Sequence, residues 1–552
     1  MSEKEYNSEQ CSRIRPSRRD VLKGGAALGA VACLGVGGAA VAHASTPDGV
    51  LVVADQIDDI ITLDPAICFE FSGTDVIQNV YDTLMVIDPR NPSAGVRPGV
   101  AESWSLSDDR KTYTFKIRKG LKFHSDNPVT ASDVVFTLRR FVMLNGPPAP
   151  IIRQFGFTED NVDELIKQTG EYEMTFEVDK PYASSMVLTC LSPWCTGIVD
   201  EKLAMANEVD GDFGRSWLNT RSAGGGAMSL HSWTPVESYI LDRNDTYWRE
   251  DIDLKRVVAR HVPESATRRL MLERGDIDIA MRLPPEDIDA VRNTSGLKVE
   301  ETESPVLYWI AMNQNHPILS KPEVRKAIKY AIDYDGITAS ITRGQAIVHQ
   351  HPVPKGWLGA SDVQPFSFNV EKAKELLAEA GHSDGFSVRL HVSTLSPMVD
   401  MAPSIQASLS QAGIHAELIT TDYNTAITSF QNNETDLFLS LWGPDYPDPH
   451  GHLFAFAMNS DNDRDSGQNG VMALWANAIS SEAVRTGLSD ALMEQDADKR
   501  DAMYKDIQTT FAQESAFAFI AQQVAQSAMR EEVNGYIPIT TWSYRVYWMT
   551  SK

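Results

Sequence analysis

The chain has 552 residues, 50 of them basic and 75 acidic, for a formal net charge of −25. That balance repels nucleic acid and anionic lipid and favours solubility and cationic solutes. A chain of this length, without an internal repeat or a low-complexity linker, folds as two or more lobes around separate cores.

The first residues read as an address. Ser17-Arg18-Arg19-Asp20-Val21-Leu22-Lys23 fits the twin-arginine export pattern, with Val21 where the commonest form has Phe. A glycine-rich, weakly apolar run over 24–42 leads to the small-residue cleavage site Ala42-His43-Ala44. The run is too poor in Leu, Ile and Phe to read as a membrane anchor, and Ala30-Val31-Ala32-Cys33 lacks the usual Leu of a lipoprotein box. Residues 1–44 are therefore expected to be removed, leaving 44 basic against 71 acidic residues, net −27, on a periplasmic protein. Cys68, Cys190 and Cys195 remain. Cys190 and Cys195 either close a small disulfide loop or stay as buried thiols. Without partners elsewhere, their spacing is not a zinc signature.

The mature chain opens on a strand, "GVLVVAD" (49–55). "KTYTFKIR" puts Tyr113, Phe115 and Ile117 on one face, the alternation of a half-buried strand. Thr130, with Asp133 three residues on, opens a helix carrying Val135, Leu138 and Val142 on one side. The stretches 141–152 and 457–470 read as surface loops, and 171–178 as a second alternating strand. A helix within 263–281 stops at Gly275 before a short strand. Pro322 begins another, with Val324, Ile328 and Ala331 aligned. Gly381 ends the helix in 369–382, and Gly413 separates a helix from a strand alternating Ile414, Ala416 and Leu418. Beyond 480 the pattern is helical until the apolar run "SAFAFIAQQ" (515–523). The second half thus alternates helix and strand, as an α/β lobe does.

Strand 435–442 delivers "WGPDYPDPHGHLF" (442–454). Gly443, Pro444 and Pro447 enforce a turn around Asp445. On a cleft edge this carboxylate can take a charge-assisted hydrogen bond from an ammonium group; elsewhere it would cap its own turn. Asp448, between prolines, reads as an Asx-turn residue, while Trp442 and Tyr446 either stack on a solute or pack in the lobe. His450, His452 and the His349-Gln350-His351 pair raise the question of a metal. Alternate residues on an extended chain point oppositely, however, and no His-Glu-x-x-His helix or cysteine quartet accompanies them. No metal or cofactor is expected, and these histidines read as surface or supporting groups. No Gly-x-Ser-x-Gly elbow or Ser-x-x-Lys set appears, and the glycines at 224–226 lack the Lys-Ser/Thr of a phosphate loop. No catalytic residue is assigned, and no enzyme activity is expected.

Five stretches, in order, resemble the extracytoplasmic solute-binding proteins of peptide/nickel-type ABC importers, family 5. They are "TYTFKIRKGLKFHSDNPVTASDVVFTLRR", "LDRNDTYWRE", "VPESATRRLMLERGDIDIA", "MNQNHPILSKPEVRKAIKYAID" and "WGPDYPDPHGHLF". The resemblance implies an α/β, two-lobed periplasmic-binding-protein clamshell of type II, with an extra small domain in lobe one. Lobe one would comprise 45–85, the extra domain 86–215, then 216–308 and a C-terminal return over 521–552, with 309–520 forming lobe two. It also implies a solute in the cleft, closure by hinge motion, a monomer, and docking on an inner-membrane ABC permease. In peptide-binding members an Asp at the place of Asp445 holds the ligand's α-amino group. Where the family commonly reads Gly-Thr-Gly-Pro-Tyr/Phe, this chain has Gly224-Gly225-Gly226-Ala227-Met228. Losing a ring and a proline there is expected to open space and loosen the loop, so Gly225, Gly226 and Met228 are cleft candidates. Tyr308, Trp309 and Asn313 belong either to the cleft wall or to the lobe core. The expected function is a receptor for a short peptide or peptide-like, amine-bearing solute. The alternatives are a non-peptide solute (opine, modified sugar or metal chelate) or, more remotely, an exported hydrolase.

Overall fold

The computed structural model describes residues 46–466, 470–537 and 546–552. The export signal and Cys33 lie outside them. Local patterns set the elements as anticipated. Thr112–Ile117 buries Tyr113, Phe115 and Ile117 within a four-stranded sheet ordered Ala101–Leu106, Thr112–Ile117, Glu173–Glu177, Ile166–Gly170. Helix Ala131–Leu144 packs on this sheet, and the Asp133 carboxylate accepts the Thr130 N–H at 2.8 Å, closing the capping box. The loop expected over 141–152 is instead the end of one helix and a second short helix, with apolar residues in the core and Met143, Asn145 and Pro147 exposed at the turn. The helix runs to Leu144, a short helix Pro150–Arg153 follows, and Phe141, Val142, Ile151 and Ile152 are buried. Gly146 makes the turn between them against the Ala66 carbonyl, which a Cβ would approach to 2.4 Å.

An eleven-stranded sheet ties the chain together. Its order is Ile414–Thr421, Phe386–Ser393, Leu437–Trp442, Leu297–Met312, Phe517–Arg530, Ile279–Ala280, Val50–Asp55, Arg256–His261, Ser238–Arg243 and Met228–Thr234, with Ala346–Val348 also pairing on Phe517–Arg530. Two long antiparallel strands, 297–312 and 517–530, cross side by side between two separate apolar clusters. They pair in register from Leu297 with Arg530 to Glu303 with Val524, slip, and resume at Leu307 with Gln522. The slip falls on Ser304-Pro305-Val306, where proline has no N–H to give the ladder. This is an α/β fold of two lobes.

Lobe two shows how tightly the strands are seated. The parallel strands Phe386–Ser393 and Ile414–Thr421 start beside each other at Gly385 (φ +77°) and Gly413 (φ +87°), and a Cβ on Gly385 would lie 2.1 Å from the Gly413 oxygen. Gly381 shares the left-handed backbone (φ +81°) but meets nothing within 4 Å. Gly381→Ala should therefore cost about 1 kcal/mol. Gly385→Ala should cost clearly more, roughly 2–4 kcal/mol, because a clash adds to the strain. Urea midpoints of the two variants test the difference.

Candidate functional site

Strand Leu437–Trp442 is buried over its first four residues and half-buried at Leu441 and Trp442. The extended course expected for 449–454 is replaced by a helix, Pro449–Ala457, with Asp448 as N-cap and Pro449 in the first turn. Asp-Pro is a helix-start signature, and it is the signal that could have found this helix in the sequence. Asp448 Oδ1 accepts the His450 N–H at 2.9 Å. Arg500 then forks onto the same carboxylate, Nη1 to Oδ2 and Nη2 to Oδ1, both at 2.7 Å, with both side chains buried. Arg500 Nε donates to the Ala491 carbonyl at 3.0 Å and Nη2 to the Tyr504 hydroxyl at 3.2 Å. Asp448 thus has the turn role expected of it, plus a cation 52 residues away of which the sequence carries no sign.

Asp445 lies three residues before this anchor, half-buried, with Oδ1 sealed from solvent and without a hydrogen-bond partner. Its electrostatic neighbours are the Cys190 and Cys195 thiols and the Tyr446 phenol. Burial alone pushes its pKa up to about 7. Cys190 and Cys195 are free, buried thiols rather than a disulfide, and burial raises both. Gln154 closes the far side: its Oε1 accepts from the Tyr446 hydroxyl at 3.3 Å, while its Nε2 donates to the Ile151 carbonyl at 2.8 Å and lies 3.7 Å from Cys190 Sγ. The same seam carries Ala183 N–H to the Leu492 carbonyl (2.8 Å) and Gln495 Nε2 to the Tyr182 carbonyl (2.9 Å). Gln154 and the two cysteines stand in no recognisable motif, and sequence reading did not place them here.

The other candidates are dispersed. Trp442 packs, half-buried, on the lobe-two cluster. Trp309 is core: it is 1 % exposed, with Phe430, Phe438, Phe456 and Phe517 around it at ring distances of 5.7–5.9 Å. Asn313 donates to the Thr435 carbonyl at 3.1 Å. It adjoins the Met312–Leu437 pair, at the opposite end of the strand that delivers Asp445, roughly 16 Å along the sheet. Gly225 and Gly226 do not loosen a loop. They allow close backbone packing, since added Cβ atoms would come within 3.0 Å of the Lys122 oxygen and 2.6 Å of the Val80 carbonyl carbon respectively. Met228 is fully buried in the cluster of the first lobe. Tyr308, by contrast, lines a cavity beside the crossing strands. The histidines are interior, not surface, groups. Burial lowers His349 and His450 to about 4 and His452 to about 3, and also lowers His351. His349 Nε2 donates to the Val353 carbonyl (2.8 Å) and His351 Nε2 to that of Val363 (2.7 Å). Among the described residues no three His, Cys, Asp or Glu groups converge as a metal site.

Two separate apolar clusters joined by paired crossing strands make a two-lobed clamshell. Residues 95–464 match the bacterial extracellular solute-binding proteins, family 5, and residues 15–35 match the twin-arginine translocation signal. The chain belongs to that family and is exported to the periplasm. It is 28 % identical over 501 residues to the probable D,D-dipeptide-binding periplasmic protein of Escherichia coli K12, covering 90 % of this chain and 93 % of that one. A dipeptide-binding protein of Pseudomonas aeruginosa is 27 % identical over 80 % of this chain and 83 % of its own. Among solved structures, a periplasmic binding protein of Helicobacter pylori in complex with the peptide STSA superposes with a TM-score of 0.78 at 24 % identity, over 91 % of this chain and 98 % of the other.

Two expectations follow. Asp445 holds its proton to about pH 7 in the folded chain but only to its ordinary 3.8 when unfolded. The empty protein should therefore lose stability as pH rises from about 4 to 7, and Asp445→Asn should flatten that slope in Tm measurements. Asp448→Ala strands a buried guanidinium and should cost about 3–5 kcal/mol in urea unfolding. A change below about 1 kcal/mol would mean that the fork does not anchor the turn.

Proposed function

We propose that this protein is the extracytoplasmic receptor of an ABC importer, closing its lobes on a short peptide or peptide-like, amine-bearing solute and delivering it to an inner-membrane permease. It acts as a monomer, without chemical turnover and without nucleic acid. The lobes divide as the resemblance implies, with 45–85, 216–308 and 521–552 in lobe one, 86–215 as its extra domain and 309–520 as lobe two. The slip at 304–306 serves as the hinge.

One observation carries the reading. Asp445 is a half-buried carboxylate whose Oδ1 is sealed from water and unpartnered, and burial disfavours its charge. A guest ammonium repairs both defects at once, by donating to the oxygens and by restoring the ionised form. Peptide recognition by the Escherichia coli and Pseudomonas aeruginosa relatives supports the same chemistry. Tyr446, Cys190 and Cys195 stand beside the anchor, and Gln154 holds the Tyr446 hydroxyl from the far side.

Intrinsic fluorescence, with 11 tryptophans as reporters, tests it against L,L- and D,D-dipeptides and neutral metabolites. Asp445→Asn should weaken ammonium ligands by about 30- to 5,000-fold, the equivalent of roughly 2–5 kcal/mol, and leave neutral ones within about twofold. Equal effects on both classes, or formation of a product, would overturn the proposal.

A further inference from the structure

We infer that Gln495 latches the lobes together: it is a positioning residue that holds the Asp445 turn against lobe one and so sets the affinity for every solute alike. This rests on the receptor reading and its division into lobes. Gln495 sits in lobe two, at the junction of helices Glu482–Met493 and Ala497–Glu514. The junction is tied down by its own backbone. The Glu494 N–H donates to the Asp490 carbonyl at 3.1 Å and the Asp496 N–H to the Glu494 carboxylate at 2.8 Å, while the Asp496 carboxylate accepts the Lys499 N–H at 3.0 Å. In the first turn of the second helix, Arg500 binds both the Ala491 carbonyl and the Asp448 carboxylate. The junction and the turn that carries Asp445 therefore move as one piece.

From this junction the Gln495 side chain reaches the extra domain of lobe one. Its Nε2 donates to the Tyr182 carbonyl at 2.9 Å and the Pro181 carbonyl at 3.2 Å, with the Met493 carbonyl of its own lobe at 3.1 Å. Its Oε1 accepts from the Ser184 N–H and the Ser184 hydroxyl, both at 3.3 Å. Local sequence explains why Ser184 takes such a partner. Helix Ser184–Thr189 has Ala183 as N-cap, which carries no side-chain oxygen to serve the first N–H groups. Lobe two serves this helix start from outside, with Gln495 Oε1 for Ser184 and the Leu492 carbonyl for Ala183 at 2.8 Å. Gln495 is exposed and also lines a cavity of about 1040 Å³ walled by Ser184 and Thr189 on one side and Trp357 and Pro447 on the other. It thus stands at the edge of the space between the lobes. None of these bonds involves a solute, so their share in closure is the same whatever is bound.

The test compares the wild-type protein with Gln495→Ala and Gln495→Glu. Without added solute, amide hydrogen exchange at Ala183 reads the seam at a bond that Gln495 does not make. Exchange there should be at least about threefold faster in Gln495→Ala, and at least as fast in Gln495→Glu, whose carboxylate faces carbonyls where the amide nitrogen donated. Fluorescence titration with L,L- and D,D-alanyl-alanine should show affinity lowered about three- to tenfold in Gln495→Ala, mainly through faster release. Combined with Asp445→Asn, the two factors should multiply. Unchanged exchange at Ala183 overturns this inference and leaves the Asp445 anchor standing. An effect of Gln495→Ala that vanishes in the Asp445→Asn background also overturns it, because Gln495 would then act on the ammonium group. If neither dipeptide binds, the peptide reading falls, and exchange at Ala183 still decides for or against the latch.

Discussion

Arg500 directs two nitrogens at the Asp448 carboxylate and a third at the Ala491 carbonyl, and this buried fork decides where the chain goes after strand 437–442. Desolvating both charges leaves such a pair little net advantage over well-packed apolar residues, yet removing either partner is expensive. The arrangement therefore contributes position more than stability. Asp448 can neither leave the guanidinium nor release the first turn of helix 449–457. The three residues before it inherit that rigidity, and Asp445 stays in a place where water cannot solvate its Oδ1. An exposed turn would let the acid swing out and regain an ordinary pKa.

The crossing strands supply the second constraint. Each lobe has its own apolar cluster, and Leu441 touches both. The seam near Asp445 is made of a few hydrogen bonds between neutral groups: Tyr446 with Gln154, Gln495 with Tyr182, and Ala183 with Leu492. Bonds of that kind contribute about 1 kcal/mol each, far less than either core. Changing the angle between lobes would give up these bonds and the packing of Tyr446, Leu492 and Met493 on the first-lobe cluster, while the proline-broken ladder at 304–306 already lacks regular pairing.

What could be read from the sequence was local. Tyr113, Phe115 and Ile117 alternate because the strand is half-buried, and Gly275 stops its helix with φ +79°. The Thr130–Asp133 box begins its helix for reasons contained in four residues. Family resemblance supplied the two-lobed plan, which no periodicity contained. Misreadings arose where distant packing overrode local chemistry. Gly-Pro-Pro in 141–152 looked like part of a surface loop but is a short, partly exposed turn between two helices that bury Phe141, Val142, Ile151 and Ile152, and the triple glycine looked loose but serves close backbone contact. Trp309 stood beside the crossing segment in sequence, yet its ring is enclosed by four phenylalanines. The Arg500 fork, the Gln154 contact and the thiol neighbours of Asp445 join residues tens to hundreds of positions apart, so no local pattern announces them.

The three sulfhydryls of the folded body bear on the route of export. Cys68, Cys190 and Cys195 are all beneath the surface, and burial keeps each in its unreactive, protonated form. Twin-arginine translocation carries proteins that have already folded in the reducing cytoplasm. A chain that crosses in this shape reaches an oxidising compartment with the thiols of Cys68, Cys190 and Cys195 off display, and mispairing among these three is forestalled by packing.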